Sequence, residues 1–396
     1  MCWTKTCKSP KKLYLCVSEA GNGLFIMEYK KCKNIIEADT QASYKFYSSS
    51  SSWYDDLLQD MHDAQKYIYV ETFKINNDAV GKRLTTALID CHEKGIKVRV
   101  LVDWWGTGIN NVCVQSMIRA GVEVRLFKKF IPSIFLFSRN HRRDHRKIVA
   151  IDDKISYIGS ANFSAYSTKW RESILRIEGK MSTICKKIFI DNFKIYNKDI
   201  THPSIRKAFR RTIRYNDFFF IREVPSVFSQ RIKKNYIKLI QRATKSITIE
   251  TPYFLPGYRI YKELVQAIKR GVHVKILIPS SSDIKIVDYV RSSLLEKLYK
   301  KGAKILYYNY GNLHSKLLSV DNETFSISSA NMDHRSFKYM FEIALIGSDP
   351  VVNSLINDHI AHTETMSSEF DIQKEKSRPL FRRFLSLIIL PFSRLL

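Results

Sequence analysis

The 396 residues, 45% hydrophobic and 26% charged, are enough to bury a sizeable core, which excludes disorder along the whole chain and leaves room for two or three domains. Lysine and arginine number 65 against 38 acidic residues, and the resulting +27 points to a polyanionic partner, phospholipid headgroups or nucleic acid. A residue bias spread along the whole chain would give the same excess, so charge does not choose between them.

The first 50 residues are expected to form an N-terminal segment. Its apolar stretch Leu13 to Val17 is broken by Ser18 and Glu19, so it lacks the continuous apolar core of an export signal. Four of the seven cysteines lie here: Cys2, Cys7, Cys16 and Cys32. With Cys91, Cys113 and Cys185 they make an odd count with no CxxC pair. That is reduced, cytoplasmic usage, and the N-terminal spacings of 5, 9 and 16 match no zinc pattern, so no metal is expected. The serine run Ser48 to Ser52 is expected to be a flexible surface loop before a helix that starts near Trp53.

A strand follows at Tyr67-Ile68-Tyr69-Val70-Glu71-Thr72, then a helix over Gly81 to Lys94 that stops at Gly95, then a strand over Val98 to Val102. The second half repeats this order: strand Ser246-Ile247-Thr248-Ile249-Glu250-Thr251, helix Tyr258 to Arg270, Gly271, strand Val274 to Ile278. Each is a β-α-β unit. The expected fold class is α/β, two duplicated domains in one pseudo-two-fold chain, each a mixed, mostly parallel sheet flanked by helices. Residues 51–215 would form the first domain, 216–375 the second, and 376–396 a tail.

Two stretches fall outside the repeat. Phe127 to Phe137 is rich in apolar residues without helical or strand period, and is expected to be a lid. Arg378 to Leu396 mixes Arg378, Arg382, Arg383 and Arg394 with Phe381, Phe384, Leu385, Leu387, Ile388, Ile389 and Leu390. That mixture suits an amphipathic contact with a bilayer surface, and it equally suits a helix docked on its own core. No apolar run reaches the roughly 18 residues needed to span a membrane, so any membrane contact is expected to be peripheral.

The chemistry lies in two copies of H-x-K-x4-D, His145, Lys147 and Asp152, then His314, Lys316 and Asp321, set 169 residues apart. In each copy an asparagine lies 17 residues after the histidine, Asn162 and Asn331, and a glutamate follows, Glu172 and Glu342. One HxK would mean little; two with co-registered partners point to a composite site. Attack on a phosphodiester is opposed by its negative charge, so a site must neutralise the nonbridging oxygens while offering a nucleophile and a proton donor. Imidazole attacks when neutral and donates a proton when charged, so two histidines divide those jobs. Lys147 and Lys316 supply cations and the asparagines supply amide donors, with no metal or cofactor required.

In these motifs the chain resembles the phospholipase D superfamily, over roughly residues 54 to 392. Asn140 to Lys147, Thr251 to Tyr258 and Ser329 to Phe337 are similar to the shorter bacterial cardiolipin synthases that lack N-terminal membrane spans. The resemblance implies that His145 is the nucleophile, forming a phosphohistidine, and His314 the general acid and then base, although the roles are exchangeable. It implies further that Glu172 and Glu342 each orient the histidine of the opposite half, and that Asp152 and Asp321 support the backbone of the motif. Ser328-Ser329 and Met340 depart from the usual pattern of glycine plus a small residue and of asparagine.

The resemblance implies transfer of a phosphatidyl group onto phosphatidylglycerol, from phosphatidylglycerol or phosphatidylethanolamine, on the cytoplasmic face of the cell membrane. Transfer to serine or water would use the same catalytic groups. The apolar stretch Phe130 to Phe137 and the tail favour lipid substrates, with Tyr253, Phe254 and Pro256 shaping the entrance. A nuclease would use Arg139, Arg142, Arg143 and Arg146 to track a phosphate backbone, but has no need of an apolar tail, and no nucleic-acid partner is expected.

Overall fold

Tyr67–Thr72 is buried at every position, as a strand covered on both faces must be. It is an interior strand of the first of two sheets in the computed structural model, which describes residues 42–108, 110–127, 142–196 and 212–373. The N-terminal cysteines, most of the expected lid and the C-terminal tail lie outside the described residues.

The first sheet contains β1 (Ser43–Ser49), β2 (Tyr67–Thr72), β3 (Lys97–Asp103), β4 (Glu123–Phe127), β6 (Ile148–Ile151), β7 (Ile155–Gly159) and β8 (Arg171–Glu178); the short β5 (Arg143–Asp144) pairs elsewhere. Its order is β1-β8-β7-β6-β2-β3-β4. The second sheet contains β9 (Ile213–Tyr215), β10 (Phe218–Glu223), β11 (Ser246–Glu250), β12 (His273–Pro279), β13 (Lys304–Tyr308), β14 (Leu317–Val320), β15 (Thr324–Ser328), β16 (Met340–Gly347) and β17 (Ser367–Glu369). Its order is β17-β13-β12-β11-β14-β15-β16-β10-β9, with β5 attached to β16.

The α/β class and the duplication are those read from the sequence. The strand directions correct it: parallel pairing in the sheets is confined to β2-β3-β4, β11-β12-β13 and the β5–β16 contact, and the other pairs are antiparallel. A parallel pair needs a crossover, which the helices Ala79–Glu93 and Gly257–Lys269 supply. The strands after each HxK are instead joined by tight turns at Asp152 to Lys154 and Asp321 to Glu323, which can only reverse the chain.

The serine run is also corrected. Ser48 and Ser49 finish β1, and Ser50–His62 is helical, with the Ser49 hydroxyl accepting the Ser52 N–H as its cap. β1 lies before residue 51, where the first domain was expected to begin, and is an edge strand of the first sheet paired with β8. Helix Ala79–Glu93 starts on the Asp78 carboxylate, 3.1 Å from the N–H groups of Val80 and Gly81. It ends before Gly95, and Gly257–Lys269 ends before Gly271; both glycines take the positive φ that closes a helix cheaply, 86° and 88°.

Each sheet has an apolar core of its own, filled from the helix Ser50–His62 and its neighbours in the first half and from Arg231–Arg242 and Gly257–Lys269 in the second. A further cluster draws on both sheets, joining Ile148, Leu175, Phe189 and Phe193 to Phe220, Phe325, Phe341 and Leu345. The half-sites are therefore held by one shared body of packed side chains.

Candidate active site

Both HxK segments enter a short strand, and each is stitched to the strand that carries the other half's glutamate. Arg143 and Asp144 pair in parallel with Met340 and Phe341, and the His145 N–H donates to the Phe341 carbonyl at 3.0 Å. In mirror fashion Arg171 bridges Leu313, the Arg171 N–H donates to the Asn312 carbonyl at 2.9 Å, and the His314 N–H donates to the Arg171 carbonyl at 2.7 Å. This pairing delivers Glu342 to His145 and Glu172 to His314.

His145 Nδ1 lies 3.0 and 3.1 Å from the two Glu342 oxygens; His314 Nδ1 lies 2.9 Å from both oxygens of Glu172. A carboxylate on Nδ1 keeps that nitrogen protonated and leaves Nε2 facing away with its lone pair, the form a nucleophile or a base needs. Each glutamate is held in turn by a serine hydroxyl, Ser160 for Glu172 and Ser329 for Glu342. The same hydroxyls accept N–H donors from Ser173 at 2.8 Å and Ile343 at 3.0 Å. Lys147 and Lys316 reach back to the carbonyls of His145 and His314, at 2.8 and 2.7 Å. Asn162 and Asn331 are buried, and the Oδ1 of each has no partner among the described residues. Phe73 stacks edge-on against His145 with ring centroids 5.1 Å apart, and Trp170 is 5.0 Å from His314.

Electrostatics separate the halves. Burial, with the Lys147 and Lys316 cations and the His314 ring beside it, pushes His145 well below its ordinary value. His314 is lowered by burial too, but Glu172 opposes the shift. Burial raises Glu342 to about 7, against the pull of Lys147. For Glu172 burial is outweighed by His314 and Lys316, and the carboxyl is held below the usual range. Burial lowers Lys147 to about 8 and Lys316 to about 7, each opposed by a glutamate.

Asp152 and Asp321 are not brought to this centre. Each starts a tight turn with positive φ, 53° and 57°, a conformation Asp tolerates. The Asp152 carboxylate accepts the N–H groups of Lys66 and Tyr67 at 2.8 Å, and Asp321 those of Lys245 and Ser246 at 2.7 and 2.8 Å. Burial raises the Asp321 carboxyl, but the donors of Ser246, Thr244 and Lys245 outweigh it and hold it below the usual range. Phe254 and Pro256 do not line an entrance either: Phe254 is wholly buried in the second core and Pro256 is buried, because Phe254 bridges to Met332 and turns inward. Tyr253 instead donates its hydroxyl to Asp283.

Ser160 and Ser329 were missed as site residues, although both stand 15 residues after their histidines. The departure at Ser328 is absorbed locally. Its counterpart Gly159 has no room for a Cβ, which would lie 2.2 Å from the Ser173 carbonyl, whereas the Ser328 hydroxyl donates to the Ile343 carbonyl at 3.1 Å. Arg146, between His145 and Lys147, is buried against Asp144 at 2.9 Å and Glu71 at 3.0 Å; it supports the motif and is not free to track a phosphate backbone.

Comparison with known proteins gives one consistent pattern. The family model described as cardiolipin synthase, PLD-like domain, matches residues 57–194 and 236–363. A cardiolipin synthase of Oceanobacillus iheyensis is 32% identical, over 85% of this chain and 70% of that protein. One of Staphylococcus aureus is 30% identical, over 87% of this chain and 72% of its own length. Among solved structures, phosphatidylserine synthase of Haemophilus influenzae superposes with a TM-score of 0.71 at 13% identity, covering 89% of this chain and 94% of that one.

Proposed function

This chain belongs to the family of cardiolipin synthases with PLD-like domains, and from that premise we propose that it is a phosphatidyltransferase that moves a phosphatidyl group onto phosphatidylglycerol. The observation that carries this reading is the exchange of glutamates, His145 with Glu342 and His314 with Glu172, which makes one centre out of two half-sites.

His145 is the nucleophile. Its low proton affinity keeps the imidazole neutral at physiological pH, and Glu342 holds the Nδ1–H so that Nε2 attacks phosphorus. As the P–N bond forms, the P–O bond to the headgroup breaks, and His314 donates a proton to the departing alkoxide. His314 suits that task because Glu172, held ionised, stabilises its protonated form. Lys147 and Lys316 neutralise the nonbridging oxygens, with Asn162 and Asn331 beside them. The terminal hydroxyl of phosphatidylglycerol then gives its proton to His314 and attacks phosphorus. The P–N bond breaks, and cardiolipin and free His145 result. Asp152 and Asp321 hold the turns behind each motif.

Phosphatidylglycerol and phosphatidylethanolamine are the candidate donors, met at a membrane surface on the cytoplasmic face. The excess of cations supports binding to anionic lipid, and among the described residues no helix is long and apolar enough to cross a membrane. Two domains would carry the half-sites, the first taking in β1 ahead of residue 51 and the second starting at β9, Ile213–Tyr215, ahead of residue 216. The test is incubation of the purified protein with phosphatidylglycerol vesicles, with and without phosphatidylethanolamine, with lipids read by mass spectrometry. Cardiolipin that disappears in His145→Ala supports the transferase. Phosphatidic acid alone would make the acceptor water and overturn it.

A further inference from the structure

Beside His314 lies a polar group that the reaction above does not use. The Tyr253 hydroxyl donates to Asp283 Oδ1 at 2.7 Å, and the Asn312 amide reaches the same oxygen at 3.4 Å. Asp283 is exposed, while Asn312 is 6% exposed and its Oδ1 is buried with no partner among the described residues. Asn312 lies two residues before His314, on the stretch stitched to Arg171, so its amide is fixed next to the general acid. The Asp283 charge is felt at both His314 and Lys316. Trp170 lies against His314 with ring centroids 5.0 Å apart, and Tyr166 meets Trp170 edge-on at 5.0 Å.

The hydrogen-bonding inventory of this corner is one-sided. Tyr253 and Asn312 spend donors on Asp283 Oδ1, which leaves Asp283 Oδ2 and Asn312 Oδ1 as acceptors. A carboxylate and an orphaned carbonyl oxygen repel a phosphate and take a group that brings its own O–H or N–H. The wall beside His145 has the opposite character: Arg335 lies over the Trp105 ring at 5.4 Å and its charge is felt at His145, while Arg143, over the same ring, is buried against Asp103. An anionic lipid phosphate is favoured on that side and disfavoured at Asp283.

Building on the phosphatidyltransfer reading, we propose that Asp283, Asn312 and Tyr253 form the subsite for the headgroup alcohol, taking a hydrogen-bond-donating head, the vicinal diol of glycerol or the ammonium of ethanolamine, and aiming its reacting oxygen at His314. Tyr253 and Asn312 orient the Asp283 carboxylate. The subsite serves both steps, since by microscopic reversibility the leaving alcohol and the attacking alcohol occupy one place. Water needs no such anchor.

The enzyme-bound phosphatidyl group partitions between alcohol and water, so the ratio of cardiolipin to phosphatidic acid reports the second step alone. Asp283→Asn keeps the shape and removes the charge. With phosphatidylglycerol vesicles it should lower that ratio about tenfold, the worth of one hydrogen bond to a charged group. Tyr253→Phe, which releases Asp283 but leaves it charged, should lower the ratio in the same direction by less. Parallel runs with phosphatidylglycerol alone and with phosphatidylethanolamine as donor identify the head: a greater loss of donor cleavage with ethanolamine assigns the ammonium, an equal loss the diol. Cardiolipin and phosphatidic acid falling in step, or a ratio unchanged in both variants, would overturn the subsite while leaving the transferase reading intact. A wild-type protein inert toward every lipid would remove both.

Discussion

His145 and His314 occupy the same register of a repeated motif, share the same Nδ1–carboxylate geometry within about 0.2 Å, and sit in unequal electrostatic surroundings. Glu342 is raised to about 7 by burial, while Glu172 is kept ionised by His314 and Lys316. Arginine charge bears on His145 and Asp283 on His314. Duplication supplies two like imidazole–carboxylate pairs, and on the proposed mechanism what surrounds each would divide the work between them. Hydrogen-bond geometry alone would have left the two roles interchangeable.

The most severe way to break the comparison is to remove each imidazole and ask which step fails. Either alanine substitution should lower transfer by at least about 10³-fold, within the range for lost nucleophilic or acid–base catalysis. With a donor whose leaving group needs no proton, His314→Ala should still accumulate labelled phosphoenzyme on acid-free gels, and His145→Ala should not. The reverse pattern would exchange the roles.

Next in size are the glutamates. Glu172→Gln removes a charge that stabilises protonated His314, and should cost about 10²-fold in kcat. Glu342→Gln leaves a neutral acceptor for a histidine that works neutral, and should cost about tenfold. Equal losses in steady-state assays would mean that the two pairs are electrostatically alike.

A smaller effect should appear in the pH profile. The lysines are cations only below their lowered values, about 8 for Lys147 and about 7 for Lys316, so kcat/KM should fall as pH rises through that window. His145 is depressed, so its neutral form persists below pH 6.5 and no loss from that group is expected near neutrality. Lys316→Arg keeps its charge to high pH and should move the alkaline limb upward even if the maximum falls. An unmoved limb would exclude Lys316 as its source.

The least effect on chemistry is expected at Asp152 and Asp321. Alanine at either removes the acceptor of the exposed and half-buried N–H groups of Lys66 and Tyr67 or of Lys245 and Ser246 and should cost about 1 kcal/mol in denaturant unfolding, with activity lost only in proportion to folded protein. A well-folded variant with no activity would return these residues to the catalytic set.

Much of this was legible along the chain because it is periodic or repeated. Buried strands such as Tyr67–Thr72, helices closed by Gly95 and Gly271, and the co-registered His, Lys, Asn and Glu are local patterns, and each local pattern has a local physical cause. The antiparallel strands are hidden in the sequence, because Asp152 and Asp321 belong at once to the H-x-K-x4-D motif and to a turn that reverses the chain. The serine run was misread because the same residues that loosen a loop also cap a helix, and only the pairing of β1 with β8 decides between them.

By itself the sequence determined that there are two repeated motifs, each with a His, a Lys, an Asn and a Glu in the same register, and that the fold is a duplicated α/β arrangement. Only the tertiary structure decided that Asp152 and Asp321 stay away from the reacting groups, that serines hold the glutamates, and that His145 and His314 differ in proton affinity. The reason is range. Hydrogen-bonded turns, helix caps and strand periods act over a few neighbours in sequence, whereas desolvation and Coulomb coupling depend on what is packed within several ångströms in space. For His145 and His314 the carboxylates that matter most come from the opposite half of the chain.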